Sequence, residues 1–124
     1  DAIEINRDSA GLSDVPGFEL AASACDIRGK GDDRLDLAVV HSVRPCSAAG
    51  VFTKNAVKAP PVRICQDLLG KGGPFHGFVV NSGNANCCNG ENGMRDAVAT
   101  CAAVAQALDV PEDQVLVAST GVIG

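Results

Sequence analysis

Apolar positions along the chain fall into two spacings, every second residue and every third or fourth, and the alternation of the two predicts a mixed α/β chain. Residues 18–27 alternate enough for a strand, and residues 35–42, with Leu37, Val39 and Val40, supply its return. Between them residues 28–34 are rich in Gly and Asp, which suits a hairpin connection. Residues 50–53 read as a third short strand. Pro60-Pro61 permits a helix start, residues 62–69 continue it, and Gly70 is expected to stop it. Residues 77–81 predict a central strand. In residues 91–108 the side chains of Met94, Ala97, Val98, Cys101, Val104, Ala105 and Leu108 recur at i, i+3 and i+4, the mark of one buried helical face. This Ala-rich helix could lie close against a sheet. Asp109-Val110-Pro111 ends it, and Val115 opens the final strand. Residues 1–15 show no clear period and are expected to form a loosely ordered lead-in, with residues 16–124 as one folding unit.

Two of these apolar runs end in small polar residues around a glycine. Gly77-Phe78-Val79-Val80 leads into Asn81-Ser82-Gly83-Asn84-Ala85-Asn86, and Val115-Leu116-Val117-Ala118 leads into Ser119-Thr120-Gly121. Where a strand gives way to such residues, backbone N–H groups and hydroxyls meet a ligand without a Cβ in the way. Asn, Ser and Gly are also the ordinary turn residues, and for either segment alone a plain turn is the stronger reading. In a strand running through Ser119 and Thr120 the two hydroxyls would face opposite sides of the sheet. The chain re-enters an apolar run at Val122-Ile123, so the unit reads as unfinished at Gly124.

Composition narrows the classes without naming a chemistry. The hydrophobic fraction of the 124 residues is 46%, with no Trp or Tyr and four Phe, so the core must be aliphatic. A net charge of −5 and scattered Lys and Arg argue against nucleic acid. No apolar run approaches a membrane span and no signal pattern opens the chain, so a cytoplasmic or organelle-matrix location is expected. The cysteines are Cys25, Cys46, Cys65, Cys87, Cys88 and Cys101. Without a Cys-x-x-Cys they predict free, mostly buried thiols and no metal site. Cys87 and Cys88 could be reactive, but no His or basic residue lies beside them in sequence. His41 and His76 are each isolated and are expected in structural or surface roles.

Taken together, the segments are more specific. Val15-Pro16-Gly17-Phe18, Ala48-Ala49-Gly50-Val51-Phe52-Thr53-Lys54-Asn55, Ala59-Pro60-Pro61-Val62, the run from Asn81 to Asn86 followed by Gly90, and Ser119-Thr120-Gly121-Val122-Ile123-Gly124 stand in this order. In these motifs the chain resembles the N-terminal part of the ornithine acetyltransferase family, the glutamate N-acetyltransferases of arginine biosynthesis. The departures are local: Cys87-Cys88-Asn89 stands where a small residue, Cys and Thr are more usual, and Arg28 where a Lys is common.

The resemblance implies a layered α-β-β-α sandwich, of which this chain is the N-terminal part. It also implies a precursor that cuts itself before a downstream Thr, absent from this chain, which becomes the nucleophile of a complementary C-terminal chain. That Thr would take acetyl from N-acetylornithine and pass it to glutamate through an acetyl-Thr intermediate. Thr120 and Gly121 match the family's oxyanion-hole pair. Asn81, Ser82, Gly83, Asn84 and Asn86 would support that turn or lie near substrate, support being favoured because buried Asn usually satisfies backbone. No cofactor is implied, although acetyl-CoA serves some members as an acetyl donor. A heterotetramer of the two chain types is expected. Two alternatives remain from sequence: a self-processing amidohydrolase or aminopeptidase using the same nucleophile chemistry, and a non-catalytic scaffold of the same fold.

Overall fold

The computed structural model describes residues 11–123. Its elements follow one another as β1 (Phe18–Ser23), β2 (Leu37–Cys46), α1 (Pro60–Lys71), β3 (Phe75–Asn84), α2 (Gly90–Leu108) and β4 (Val115–Val122). The strands form one four-stranded sheet in the order β1-β2-β3-β4. The first two pairings are antiparallel, whereas β3 and β4 run parallel. A parallel pair cannot be joined by a hairpin, and α2 provides the crossover.

Both helices cover the same side of the sheet, since α1 and α2 touch each other and each packs on β4. The core lies between, built from Val79 of β3, Val115 and Val117 of β4, Cys65 of α1, and Cys101 and Ala105 of α2. Small residues let α2 sit close: its buried stripe is Gly93, Ala97, Cys101 and Ala105, one residue every turn or so. Val98, assigned to the buried face by its spacing, is instead 48% exposed. At Gly77 a Cβ would come within 3.1 Å of the Val115 side chain and 3.2 Å of Leu108, so glycine there admits the end of α2.

The opposite side of the sheet is apolar and, among the described residues, bare except at its β4 edge, where Ala49, Gly50 and Phe52 share a groove with Phe78, Leu116 and Ala118. Cross-strand partners share a face, so Leu20, Val40, Phe78 and Leu116 form one row and Ala22, Ala38, Val80 and Ala118 the next. Leu20 is 40% and Phe78 37% exposed. The outer edge of β4 is partly protected by α1. The Cys65 thiol donates to the Val117 carbonyl (3.2 Å), and the Val117 N–H points back at the same sulfur (3.4 Å).

Several elements differ from the sequence expectation for identifiable reasons. Residues 50–53 pair with no strand; Gly50 packs against Leu69 and Phe52 within a coil leading to α1. Helix α1 runs through Gly70 to Lys71 and ends at Gly72, whose φ of 70° a glycine adopts without strain. β1 stops at Ser23, because residues 25–27 turn inward to meet Asp36. Its partner β2 starts at Leu37 and continues past the expected end to Cys46, with a register shift after His41. Of the expected lead-in, residues 1–10 lie outside the described residues; Leu12–Asp14 form a short 3₁₀ turn in which the Asp14 carboxylate accepts the Gly11 N–H (3.0 Å).

Candidate functional site

The two polar segments are neighbouring stretches of parallel strand rather than separate turns. Asn81 pairs with Ser119, Ser82 with Thr120, Gly83 with Gly121 and Asn84 with Val122. The pairing is close enough to dictate residue type. A Cβ on Gly121 would lie 2.4 Å from the Gly83 carbonyl carbon, 2.5 Å from its oxygen and 2.7 Å from the Asn84 nitrogen. The φ of Gly121 is 134° and that of Gly83 is 112°, values that favour glycine. The Ala85 N–H donates to the Val122 carbonyl (2.8 Å), closing the pair at its far end.

Strand alternation places the hydroxyls. Ser119 shares the helix-covered face with Asn81 and Val117, and lines a groove of about 280 Å³ at the β4 edge with Gly50, Phe52 and Val62 and, from the other face, Phe78 and Leu116. Thr120 lies on the bare face beside Ser82 and is exposed. Backbone groups alternate as well. The Val117 N–H and carbonyl face outward to Cys65, so two and four residues on, those of Ser119 and Gly121 face the same free edge of β4. The Val122 carbonyl faces β3, as that alternation requires.

A polar network secures the β3 end of the site. The Asn81 side-chain amide donates to the Asn84 carbonyl (2.8 Å), and the Asn84 side-chain oxygen accepts the Asn86 N–H (2.7 Å). Asn86 is buried, with a φ of 45°, and its amide donates to the Gly93 carbonyl in α2 (2.8 Å). Three asparagines therefore satisfy backbone. A Cβ at Gly93 would approach the Asn86 side-chain oxygen to 2.5 Å, which explains the glycine in that first helical turn.

Asp36 is a residue that sequence reading passed over. It is 8% exposed, and its two carboxylate oxygens accept the N–H groups of Cys25 and Ile27, each at 2.7 Å. These bonds, first that from Cys25 and then that from Ile27, hold its carboxyl below the usual carboxylate range, with the nearby Arg28 charge adding to the effect. Its own carbonyl accepts the Ser82 N–H (2.8 Å). Asp36 thus ties the 25–28 turn to the start of the polar segment, and Ile27 and the stem of Arg28 lie against Gly83. The one signal in sequence was a carboxylate set between Leu35 and Leu37 at a strand entry.

The histidines lie several rows from Thr120. His41 Nδ1 is 2.9 Å from a Glu19 carboxylate oxygen, and His76 Nδ1 is 3.0 Å from the Ser42 carbonyl. Among the described residues no group of three His, Cys, Asp or Glu side chains could hold a metal ion. None of the described helices is long and apolar enough to cross a membrane. All six cysteines are free, Cys65 and Cys101 being buried, Cys46 and Cys87 partly so, and Cys25 and Cys88 exposed. The thiols are free as expected, but the expectation that most are buried is corrected, since only two of the six are.

The family model described as the ArgJ family matches residues 19–124, taking in both polar segments and the strands that carry them. The chain belongs to the ArgJ family. Among curated relatives, it is 44% identical over 116 residues to the arginine biosynthesis bifunctional protein ArgJ of Symbiobacterium thermophilum, covering 94% of this chain and 29% of that protein. It is 47% identical over 109 residues to the ArgJ of Thermotoga neapolitana, covering 87% and 27% respectively. The chain therefore spans less than a third of the length of these ArgJ proteins. Its fold is that of solved ArgJ structures. The ornithine acetyltransferase of Mycobacterium tuberculosis complexed with ornithine matches with a TM-score of 0.84 at 42% identity, covering 92% of this chain and 61% of that one. The Bacillus halodurans ArgJ matches equally well, with a TM-score of 0.84 at 35% identity over 93% and 59%.

Proposed function

We propose that this chain is the N-terminal part of a self-processed glutamate N-acetyltransferase and that it supplies the oxyanion hole. The nucleophile is a Thr at the head of a complementary C-terminal chain. It attacks the acetyl carbonyl of N-acetylornithine, ornithine leaves, and the amine of glutamate then takes the acetyl group from the Thr ester. Each half-reaction passes through a tetrahedral oxyanion that needs donors fixed beforehand. No cofactor enters this scheme, and acetyl-CoA would act only as an alternative donor.

The observation that carries the reading is the forced glycine at 121 beside an exposed Thr120 in a chain of this family. Thr120 offers a hydroxyl on the bare face. The Gly121 N–H, turned to the free edge of β4, offers a backbone donor next to it without a side chain to obstruct approach. Asn81, Ser82, Gly83, Asn84 and Asn86 then act as support, since the asparagine amides are occupied in holding backbone. The bare apolar rows on β1–β4 provide the surface on which the complementary chain would complete a four-layer sandwich. Pairs of such assemblies would give the heterotetramer.

The test is acetyl transfer from N-acetylornithine to glutamate by the full-length protein, comparing Thr120→Ala and Ser119→Ala with wild type. Loss of one oxyanion donor lowers kcat by about 10²–10³. Thr120→Ala should show that loss with self-cleavage and fold retained, and Ser119→Ala should not. Equal activity in Thr120→Ala would remove the hydroxyl from the mechanism. Amide hydrolysis without dependence on glutamate would assign the protein to the hydrolases instead, and inactivity of the wild type to the scaffolds.

A further inference from the structure

The segment between β3 and α2 carries adjacent cysteines whose sulfurs lie 3.7 Å apart. Cys88 is exposed, with a φ of 65°, and Cys87 is partly buried. The hydrogen bond between the thiols is the first cause of a raised Cys87 pKa, and Cys88 is the more exposed sulfur of the pair. Cys88 also lines an open cavity of about 660 Å³ whose wall includes Lys58, Arg63 and Arg95. None of these cations is near the cysteines in sequence apart from Arg95, which α2 carries seven positions on. Folding of the 57–63 segment against the start of α2 brings them together. A single carboxylate, that of Glu91, opposes them in that wall.

We propose that Cys87 and Cys88 form a redox-modification site that reacts with anionic low-molecular-weight disulfides of the glutathione type. The Cys88 thiolate attacks one sulfur of glutathione disulfide, giving a mixed disulfide and one glutathione thiolate. Cys87 then loses its proton to solvent and attacks the Cys88 sulfur, forming the Cys87–Cys88 bond and releasing the second glutathione. The protein loses two electrons and two protons in total, and one glutathione disulfide becomes two glutathiones. Closing the bond draws the sulfurs from 3.7 Å to about 2.05 Å. An exposed disulfide of this kind is readily reversed by thiols, as reversible modification requires. The cations at the cavity wall favour an anionic reagent over a neutral one.

The test treats the reduced full-length protein with glutathione disulfide, quenches in acid, and reads intact and peptide masses. The wild type should lose the mass of two hydrogens, with the bond mapped to Cys87–Cys88 and reversed by dithiothreitol. Cys87→Ala should instead retain one glutathionyl group on Cys88, since the resolving thiol is gone. Arg95→Gln should slow glutathione disulfide while leaving the reaction with neutral hydroxyethyl disulfide unchanged. A stable glutathionyl adduct on Cys88 of the wild type would overturn the proposal. So would reaction at the exposed Cys25 while the pair stays reduced, or equal slowing of both reagents in Arg95→Gln. Every readout is chemical, so the acetyltransferase reading could fail without affecting the result.

Discussion

Gly121→Ala tests how tightly the paired ends of β3 and β4 define the site. The added Cβ would meet three backbone atoms, at 2.4, 2.5 and 2.7 Å, and no rotamer change can move backbone aside. With φ at 134°, alanine would also be held in a region L residues rarely adopt, at a cost of about 1–3 kcal/mol. Relief requires the end of β4 to swing away from Gly83. That movement gives up the Ala85–Val122 hydrogen bond, a net loss of about 1 kcal/mol. Val122 is 68% exposed, so little packing resists the swing. The expected loss of stability is therefore about 2–4 kcal/mol. Under the proposed oxyanion role the effect on transfer should be larger in proportion, because a displacement of about 1 Å at a reacting centre can cost 10²-fold. Urea unfolding and acetyl-transfer kinetics of the full-length protein measure the two. Gly70→Ala serves as control: that helical position has open space around it, and alanine should stabilise by about 0.5–1 kcal/mol. A Gly121→Ala protein with wild-type stability and undiminished kcat would refute the close-pairing argument.

Asp36→Asn should destabilise the fold, since the amide cannot accept from both Cys25 and Ile27 as the carboxylate does. The folded-state pKa of Asp36 is depressed, so its contribution is present above the unfolded value of about 3.9 and is lost as pH falls through the lower folded value. Acid unfolding of the variant should accordingly show a shallower pH dependence below that point, and an unchanged profile would count against the clamp. Burial, with the Cys65 and Glu112 charges as lesser causes, raises the Cys101 thiol to about 11. The unfolded chain ionises near 8.5, so this thiol's contribution to stability should decline as pH rises from about 8.5 to about 11. Cys101→Ala should flatten that decline in urea titrations at alkaline pH. Finally, this chain expressed alone should self-associate through the Leu20, Val40, Phe78 and Leu116 row, and a monodisperse monomer in sedimentation velocity would contradict the docking role given to that face.

The elements with strong local periodicity are legible in the amino-acid sequence itself. The α2 stripe of Ala97, Cys101 and Ala105, the proline start of α1 and the β1–β2 hairpin follow from side-chain spacing and turn chemistry, which are properties of neighbouring residues. The motif order is legible too, and it leads to the family that the residue 19–124 match established. What sequence could not decide was the fate of the two polar segments. Asn, Ser and Gly favour turns locally, yet Asn81–Asn84 and Ser119–Val122 are strand because each supplies the other's ladder partners across the parallel pair. The same holds for Asp36, whose partners are nine and eleven residues away, and for the cations around Cys88, of which Lys58 arrives from the segment leading into α1 and Arg63 from α1 itself. Local propensity acts through adjacent residues, whereas pairing, close approach and the field at a thiol depend on groups that only the folded chain brings together.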